Sequence, residues 1–410
     1  MKNRLILCFL ALYLVTIMSL STVFADEQSK HNPCYESINK LALTYQNDDV
    51  FKLVIDKAFE NMQQVPEGYL EGGNPWIGKD FNDLITFFQD WCAFLPVAKG
   101  SSDNGLYYIE QMDLFAYNNP FGRIAFQISP GRELFQQFAH ERGVFLDSPA
   151  SAKHVAEWLA DPRTEKEDYI LPNPDAPDGG FKSYNDFFSR SLKNQTKTRP
   201  QTMPSRDYII TAPTDALMNP IPARIVDEKT KLRTKGTQDL NIEQLLAGSK
   251  YWSEFVGGTA LSCILMPNTY HKYHAPVGGK VIETKLIQGA LIGMEDFPSF
   301  VPKGGNVGYY GADFSAFENY QRGYFIIDTG NNGLVAVVPV GLSTVGSVVF
   351  KEKYLKATTP VPITRGDELG HFLYGGSLVI IIFEPNRYKS DAIKVRLGNQ
   401  IGTFDTNSNE

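Results

Sequence analysis

The sequence predicts an α+β fold, with a mainly helical N-terminal region followed by a β-rich domain. Three observations carry this. Between residues 26 and about 180, apolar residues recur at helical spacing. From about residue 206, short β-branched and aromatic runs are separated by Gly, Pro and Asn. Between the two textures, Leu171-Pro-Asn-Pro-Asp-Ala-Pro-Asp-Gly-Gly180 cannot hold a helix or a central strand, and it reads as a linker.

Taken in order, the chain opens with Lys2 and Arg4, an apolar run from Leu5 to Met18, and the small-residue end Val23-Phe24-Ala25. This is the pattern of a secretory leader over residues 1–25, with cleavage expected before Asp26. The run is shorter than the ~20 apolar residues of a membrane span, which favours a leader over an anchor. Helical periods follow in Asp80–Phe94, Gly131–Gly143 and Ser148–Leu159. Ser148 before Pro149 has the form of a cap followed by a first-turn proline. Strands are expected at Tyr208–Ala212, Ala260–Met266, Gly279–Ile287, Gly323–Asp328, Gly333–Pro339, Ser347–Tyr354 and Ser377–Glu384, with a short helix at Asn241–Leu246. The run Ser377-Leu-Val-Ile-Ile-Ile-Phe is apolar after its first residue, as in a strand buried on both faces.

Composition narrows the function. The 410 residues are 43% hydrophobic and 21% charged, which suits a globular protein. Removal of the leader takes away two positive charges and moves the formal net charge from −7 to −9. So acidic a chain is a poor partner for nucleic acid. Of the cysteines beyond the leader, Cys34 and Cys92 could be bridged in an oxidising compartment, while Cys263 sits in an apolar stretch as a small hydrophobe. There is no Cys-x-x-Cys and no zinc spacing, so no metal is expected.

Three segments carry residue types capable of chemistry. Thr211-Ala-Pro-Thr-Asp215 puts a carboxylate in a turn after an expected strand. Tyr270-His271-Lys-Tyr-His274-Ala-Pro puts two of six histidines three residues apart. Gly370-His-Phe-Leu-Tyr-Gly375-Gly376-Ser377 puts a serine behind two glycines at the mouth of the buried strand. Each alone is weak, because turn Asp, paired His and Gly-Gly-Ser usually serve structure. Together they supply an acid, a base and a nucleophile.

In this order the segments resemble the phosphatidylserine decarboxylase family from about Tyr184 to Glu384. Tyr184-Asn-Asp-Phe-Phe-Ser-Arg-Ser-Leu-Lys193 with Arg199-Pro200 resembles its entry segment, and Lys235-Gly236 with Leu245-Leu246 its lysine-glycine segment. Tyr270-His-Lys-Tyr-His274-Ala-Pro is similar to its Tyr-His-Arg-x-His-x-Pro signature. Val340-Gly341 and Val345-Gly346-Ser347-Val348 resemble a late strand pair, and Gly370-His-Phe-x-x-Gly-Gly-Ser377 its processing segment.

The resemblance implies residues 26–183 as a helical N-terminal domain and 184–410 as a pyruvoyl-dependent decarboxylase domain, self-cleaved between Gly376 and Ser377. It implies Asp215 and His274 as the base pair for maturation, Ser377 as nucleophile, and His271 for substrate handling or protonation. Ser377 Oγ would attack the Gly376 carbonyl, and the resulting ester would eliminate. Gly376 would then be a new C-terminus, and hydrolysis at residue 377 would leave the pyruvoyl cofactor and ammonia. The implied substrate is an amine-bearing carboxylate. Phosphatidylserine stands first, with peripheral membrane contact and a homo-oligomer. A free amino acid such as tryptophan stands second. For the latter, Asn119-Pro-Phe-Gly-Arg-Ile-Ala-Phe126, Phe145-Leu-Asp-Ser-Pro149 and Gly179-Gly-Phe-Lys-Ser-Tyr184 resemble an amino-acid-decarboxylating subgroup. An exported enzyme is expected.

Two departures stand out. The usual Leu-Gly-Ser-Thr is Gly375-Gly376-Ser377-Leu378, and the usual Arg between the histidines is Lys272, which lacks the planar fork. Rival readings are weaker. Gly346-Ser347 imitates the processing site inside ordinary strand sequence. Gly341-Leu-Ser343-Thr-Val345 lacks the second Gly of a hydrolase elbow. A metal site on His271 and His274 would have to recruit Glu283 or Asp215. A non-enzymatic binding protein would not need Ser377, His274 and Asp215 together.

Overall fold

The computed structural model describes residues 32–65, 73–98, 103–221, 242–265, 267–292, 320–342 and 347–389. The expected leader, Ser343, Gly346 and Lys235-Gly236 lie outside the described residues.

The fold is α+β, with helices first and antiparallel sheets after. Helices α1 (Tyr35–Asn47), α2 (Asp49–Glu60), α3 (Phe81–Ala93), α4 (Asp103–Tyr117), α5 (Pro120–Gln127) and α6 (Gly131–Leu146) form one layer. Their starts follow local chemistry. Asp80 and Asp83 close a capping box on α3, and Asn119 caps α5 ahead of Pro120. Cys34 and Cys92 are bridged with Cα atoms 6.0 Å apart, tying the start of α1 to the last turn of α3. The same turn is closed by Arg142, fully buried, which donates to the carbonyls of Trp91, Cys92 and Phe94. A cation at a helix C-terminus is favourably placed for the orphan carbonyls.

The Ser148–Leu159 period resolves into a 3₁₀ turn, Pro149–His154, and helix α7, Val155–Ala160. Ser148 precedes the turn but makes no side-chain cap; its hydroxyl donates to Phe145 O at 2.6 Å instead. The Leu171–Gly180 stretch has neither helix nor strand. It folds back on itself, Asn173 N donating to Gly179 O at 2.7 Å, so that Leu159 and Phe181 enter one cluster.

The remainder builds a seven-stranded antiparallel sheet in the order β1-β2-β10-β6-β5-β4-β8 and a three-stranded sheet β3-β9-β7. The strands are β1 (Leu217–Ile221), β2 (Thr259–Leu265), β3 (Lys272–His274), β4 (Gly279–Ile287), β5 (Arg322–Asp328), β6 (Leu334–Leu342), β7 (Val348–Phe350), β8 (Val361–Ile363), β9 (Glu368–Phe372) and β10 (Gly376–Phe383). Two expected strands differ. Tyr208–Ala212 is irregular: Ile209 O accepts from Arg365 Nη1 at 3.0 Å and Thr211 N donates to Pro276 O at 3.0 Å, in place of a ladder. Ser347–Tyr354 stops at Phe350, and Glu352–Leu355 turns into a short helix.

Period two along β10 explains the layering. Leu378, Ile380 and Ile382 join the cluster of the first six helices, and Val379, Ile381 and Phe383 join the opposite one. That opposite cluster holds Val155, Trp158, Tyr184 and Phe187 with Tyr273, Leu369 and Phe372 of the small sheet. Both clusters draw on residues from either side of position 184, so helices and sheet pack as layers. Trp91, Phe115 and Phe126 are core residues in ring contact with their neighbours.

Candidate functional site

Ser377 is the second residue of β10, paired with Leu265 on one side and Gly341 on the other. By parity its side chain lies on the face of Val379, toward the small sheet. It is 3% exposed, and its Oγ has no hydrogen-bond partner among the described residues. A buried hydroxyl left in this state costs about 1–3 kcal/mol. The chain leading to it is pinned. Tyr374 N donates to Asn185 Oδ1 at 3.0 Å, and Asn185 Nδ2 donates to Asp147 Oδ1 at 3.0 Å. Gly375 then has φ 154°, a conformation L side chains rarely adopt, so the Gly at this departure from the family pattern matches its backbone. Upstream, Gly370 of β9 lies so near β7 that a Cβ would stand 2.0 Å from Val349 O. The imitating serine, Ser347, spends its hydroxyl as an acceptor from Leu373 N at 3.1 Å.

His271 lies just before β3 and is buried. Nδ1 donates to Thr269 O at 2.9 Å, and the ring stands 3.7 Å from that of Phe188. Phe188, on helix α8 (Tyr184–Phe188), in turn touches Tyr374, three residues before Ser377. The entry segment thus joins His271 to the Gly-Gly-Ser end of β10. Burial, and then the nearby Arg190 guanidinium, push the His271 imidazole down to about 3.

His274 and Asp215 meet elsewhere, on a cavity of about 440 Å³ also lined by Arg199, Thr211, Thr214, Tyr270 and Gly366. Asp215 sits in a bend before β1 rather than after a strand. The bend is held to the His strand by His274 N donating to Pro213 O at 2.7 Å and by Thr214 Oγ1 donating to Tyr270 O at 3.1 Å. Both ring nitrogens of His274 are engaged. Nδ1 donates to Gly366 O at 2.8 Å, which leaves Nε2 to accept from Tyr270 OH at 2.9 Å. Burial lowers its proton affinity. Among the described residues no hydrogen bond joins Asp215 to His274. The Asp215 carboxylate instead accepts from Arg199 Nε at 2.9 Å, while Arg199 also pairs with Asp168 and Glu165. Asp215, and then Asp168, hold the Arg199 guanidinium firmly in its charged form. Neither Ser377 nor His271 lines this cavity.

Lys272 faces neither group. Its ammonium donates to Ser191 Oγ at 2.7 Å and lies 3.7 Å from Glu368, which Lys351 also approaches. Its charge is committed inside the protein, so the missing arginine fork leaves no vacancy in the cavity. Sequence reasoning missed Asn185, Phe188 and Arg190, although all lie in the entry segment; their spacing signals a helix turn and nothing of their contacts.

A family model described as phosphatidylserine decarboxylase matches residues 184–403. The chain belongs to the phosphatidylserine decarboxylase family. Among relatives of that name, the proenzyme of Clostridium novyi is 27% identical over 333 residues, covering 78% of this chain and 99% of the relative. The proenzyme of Fusobacterium nucleatum is 25% identical over 277 residues, covering 68% and 82%. Proenzyme 2 of rice is 31% identical over 261 residues, covering 64% of this chain and 38% of the relative. The chain likewise spans only 26% of the length of proenzyme 3 of Schizosaccharomyces pombe. The match begins at the first residue of α8, the helix that reaches both His271 and Tyr374.

Proposed function

We propose that this chain is the precursor of a pyruvoyl-dependent carboxy-lyase that cleaves itself between Gly376 and Ser377. The observation that carries the reading is the Ser377 hydroxyl, buried and without a partner behind a pinned Tyr374 and the unusual φ of Gly375. A nucleophile is useful only if its oxygen is not committed elsewhere. In this reading Ser377 Oγ adds to the Gly376 carbonyl and its proton passes to a base, for which His274 with Asp215 is the assignment. The depressed proton affinity of His274 supports it, since a neutral imidazole can accept a proton. His271, at the Tyr374 end, is assigned to the substrate.

The pyruvoyl group so formed supplies an electron sink for loss of carbon dioxide from an amine-bearing carboxylate. Its place fits: residue 377 lies centrally in the sheet, between β2 and β6, in a buried site whose Tyr374 end is linked through Phe188 to His271. Phosphatidylserine is the substrate we favour, on the names of the relatives. Peripheral contact with a membrane and a homo-oligomer belong to the same proposal. Export is supported by the Cys34–Cys92 bridge, which suits an oxidising compartment.

The test is an intact mass spectrum of the purified chain beside Ser377→Ala, followed by carbon dioxide release from phosphatidylserine in mixed micelles and from free tryptophan. A light chain starting at a pyruvoyl-bearing residue 377, absent in the variant, supports the class. Turnover of lipid supports the substrate, and turnover of tryptophan alone replaces it. A single uncut chain in both proteins would instead favour an inactive binding protein.

A further inference from the structure

Arg190 is the feature that the functional reading leaves unused. It is 2% exposed, and it forms no ion pair among the described residues. Its guanidinium lies 4.3 Å from the ring of Tyr169 and 4.7 Å from that of Phe187. Its Nη2 donates to Asn268 O at 2.8 Å and Thr269 O at 3.0 Å, while Nε has no partner. An unpaired cation in the interior is costly, and a structure that keeps one has a use for it.

The shared atom is Thr269 O. It accepts from Arg190 Nη2 and also from His271 Nδ1 at 2.9 Å. A carbonyl oxygen only accepts, so His271 carries its proton on Nδ1, and the lone pair sits on Nε2. A second proton would make a buried imidazolium beside a buried guanidinium, and the one carboxylate that acts on Arg190 among the described residues, Asp215, is already bonded to Arg199. The other groups around His271 give no counter-charge. Phe188 covers the ring, Tyr184 and Tyr374 lie beyond it, and the neighbouring Lys272 is held by Ser191 and Glu368.

We propose that Arg190 is a positioning residue that fixes the His271 loop and keeps His271 as the neutral Nδ1–H tautomer, so that His271 enters reaction as a proton acceptor and not as a resident donor. This rests on the reading above that His271 acts on the substrate, and it decides between the two uses, handling or protonation, that the family resemblance leaves open.

Histidine-selective ¹⁵N NMR of the full chain, with His271 assigned through His271→Gln, tests it. In the wild type His271 stays neutral with the proton on Nδ1 from pH 8 down to about pH 5. In Arg190→Gln its proton affinity rises about tenfold or more, and Arg190→Lys, which keeps the charge, leaves it largely depressed. With cleavage established, the wild-type decarboxylation rate shows no loss as pH rises through about 6.5, as a donor histidine would impose. An Nε2–H tautomer in the wild type, or an unchanged titration in Arg190→Gln, overturns the proposal. The wild-type tautomer needs no variant to fold. A chain that fails to cleave would sink the functional reading while leaving the tautomer result standing.

Discussion

The two halves of the candidate machinery are in opposite states. Around Asp215 and His274 every polar group has a partner: Arg199 holds the carboxylate, and Gly366 O and Tyr270 OH take the two imidazole nitrogens. At the mouth of β10 the Ser377 hydroxyl has none among the described residues, and among them His271 hydrogen-bonds through Nδ1. The satisfied half is open to a cavity, whereas the unsatisfied half is buried. Solvent would relieve an unpaired hydroxyl at the cavity at little cost. In the interior the same hydroxyl is kept unpaired by the packing around it. On the proposed reading, the comparison places the reactivity of the precursor in the buried half, at Ser377, and a fixed hydrogen-bonded geometry in the other.

The largest break in that contrast is Ser377→Ala. Cleavage is lost completely, and the precursor gains about 1 kcal/mol of stability because an orphan hydroxyl is replaced by a methyl group. Chemical denaturation of Ser377→Ala against uncleaved wild type reads the difference. A clear loss of stability would mean that the hydroxyl has a partner after all. The next largest effect falls on the satisfied half. His274→Ala removes the assigned base, and the rate of self-cleavage, followed by gel or mass, falls about 10²–10⁴-fold. Cleavage at the wild-type rate would leave His274 a structural link between Gly366 and Tyr270. Smaller again is Asn185→Ala. It frees Tyr374 N and Asp147, and the loss of one alignment contact slows cleavage about tenfold, with a stability loss of about 1–3 kcal/mol. Unchanged cleavage would show that Gly375 and Gly376 hold their geometry without help.

Much of this was legible in the sequence, for identifiable reasons. β4 runs from Gly279 to Ile287 as expected, and β10 is buried on both faces as its unbroken apolar run implied. Cys263 is a buried thiol pushed up to about 12 by its surroundings. What escaped is what depends on contacts between distant segments. β3, β8 and β9 are three to five residues long, too short to show a period, and exist because they pair. Tyr208–Ala212 has strand composition, but Arg365 claims its carbonyl. At the site, the residue types at 215, 271, 274 and 377 could be picked out. That Arg199 would hold Asp215, and that an unpaired Arg190 would stand over the His271 loop, could not be read from spacing.

The last and mildest test compares the two halves through pH. His271 and His274, one from each half, both have proton affinities lowered by burial, and so does His371 on β9. A group whose folded pKa lies below its unfolded value binds more protons when unfolded. Stability is therefore full above about pH 6.5 and declines as pH falls from there toward the folded values, about 3 for His271. Between about pH 6.5 and pH 5 this single buried group costs about 2 kcal/mol, at about 1.4 kcal/mol per unit. The carboxylates lowered by their partners, Asp56, Asp83, Glu133 and Asp161, lose their contribution only at lower pH, so the upper window belongs to histidine. Denaturation of uncleaved Ser377→Ala at pH 7.5 and pH 5 measures the slope, and adding His271→Gln removes most of it if the buried half carries the larger share. A flat profile would mean that both histidines protonate without penalty, and the distinction between a buried half and an open one would go with it.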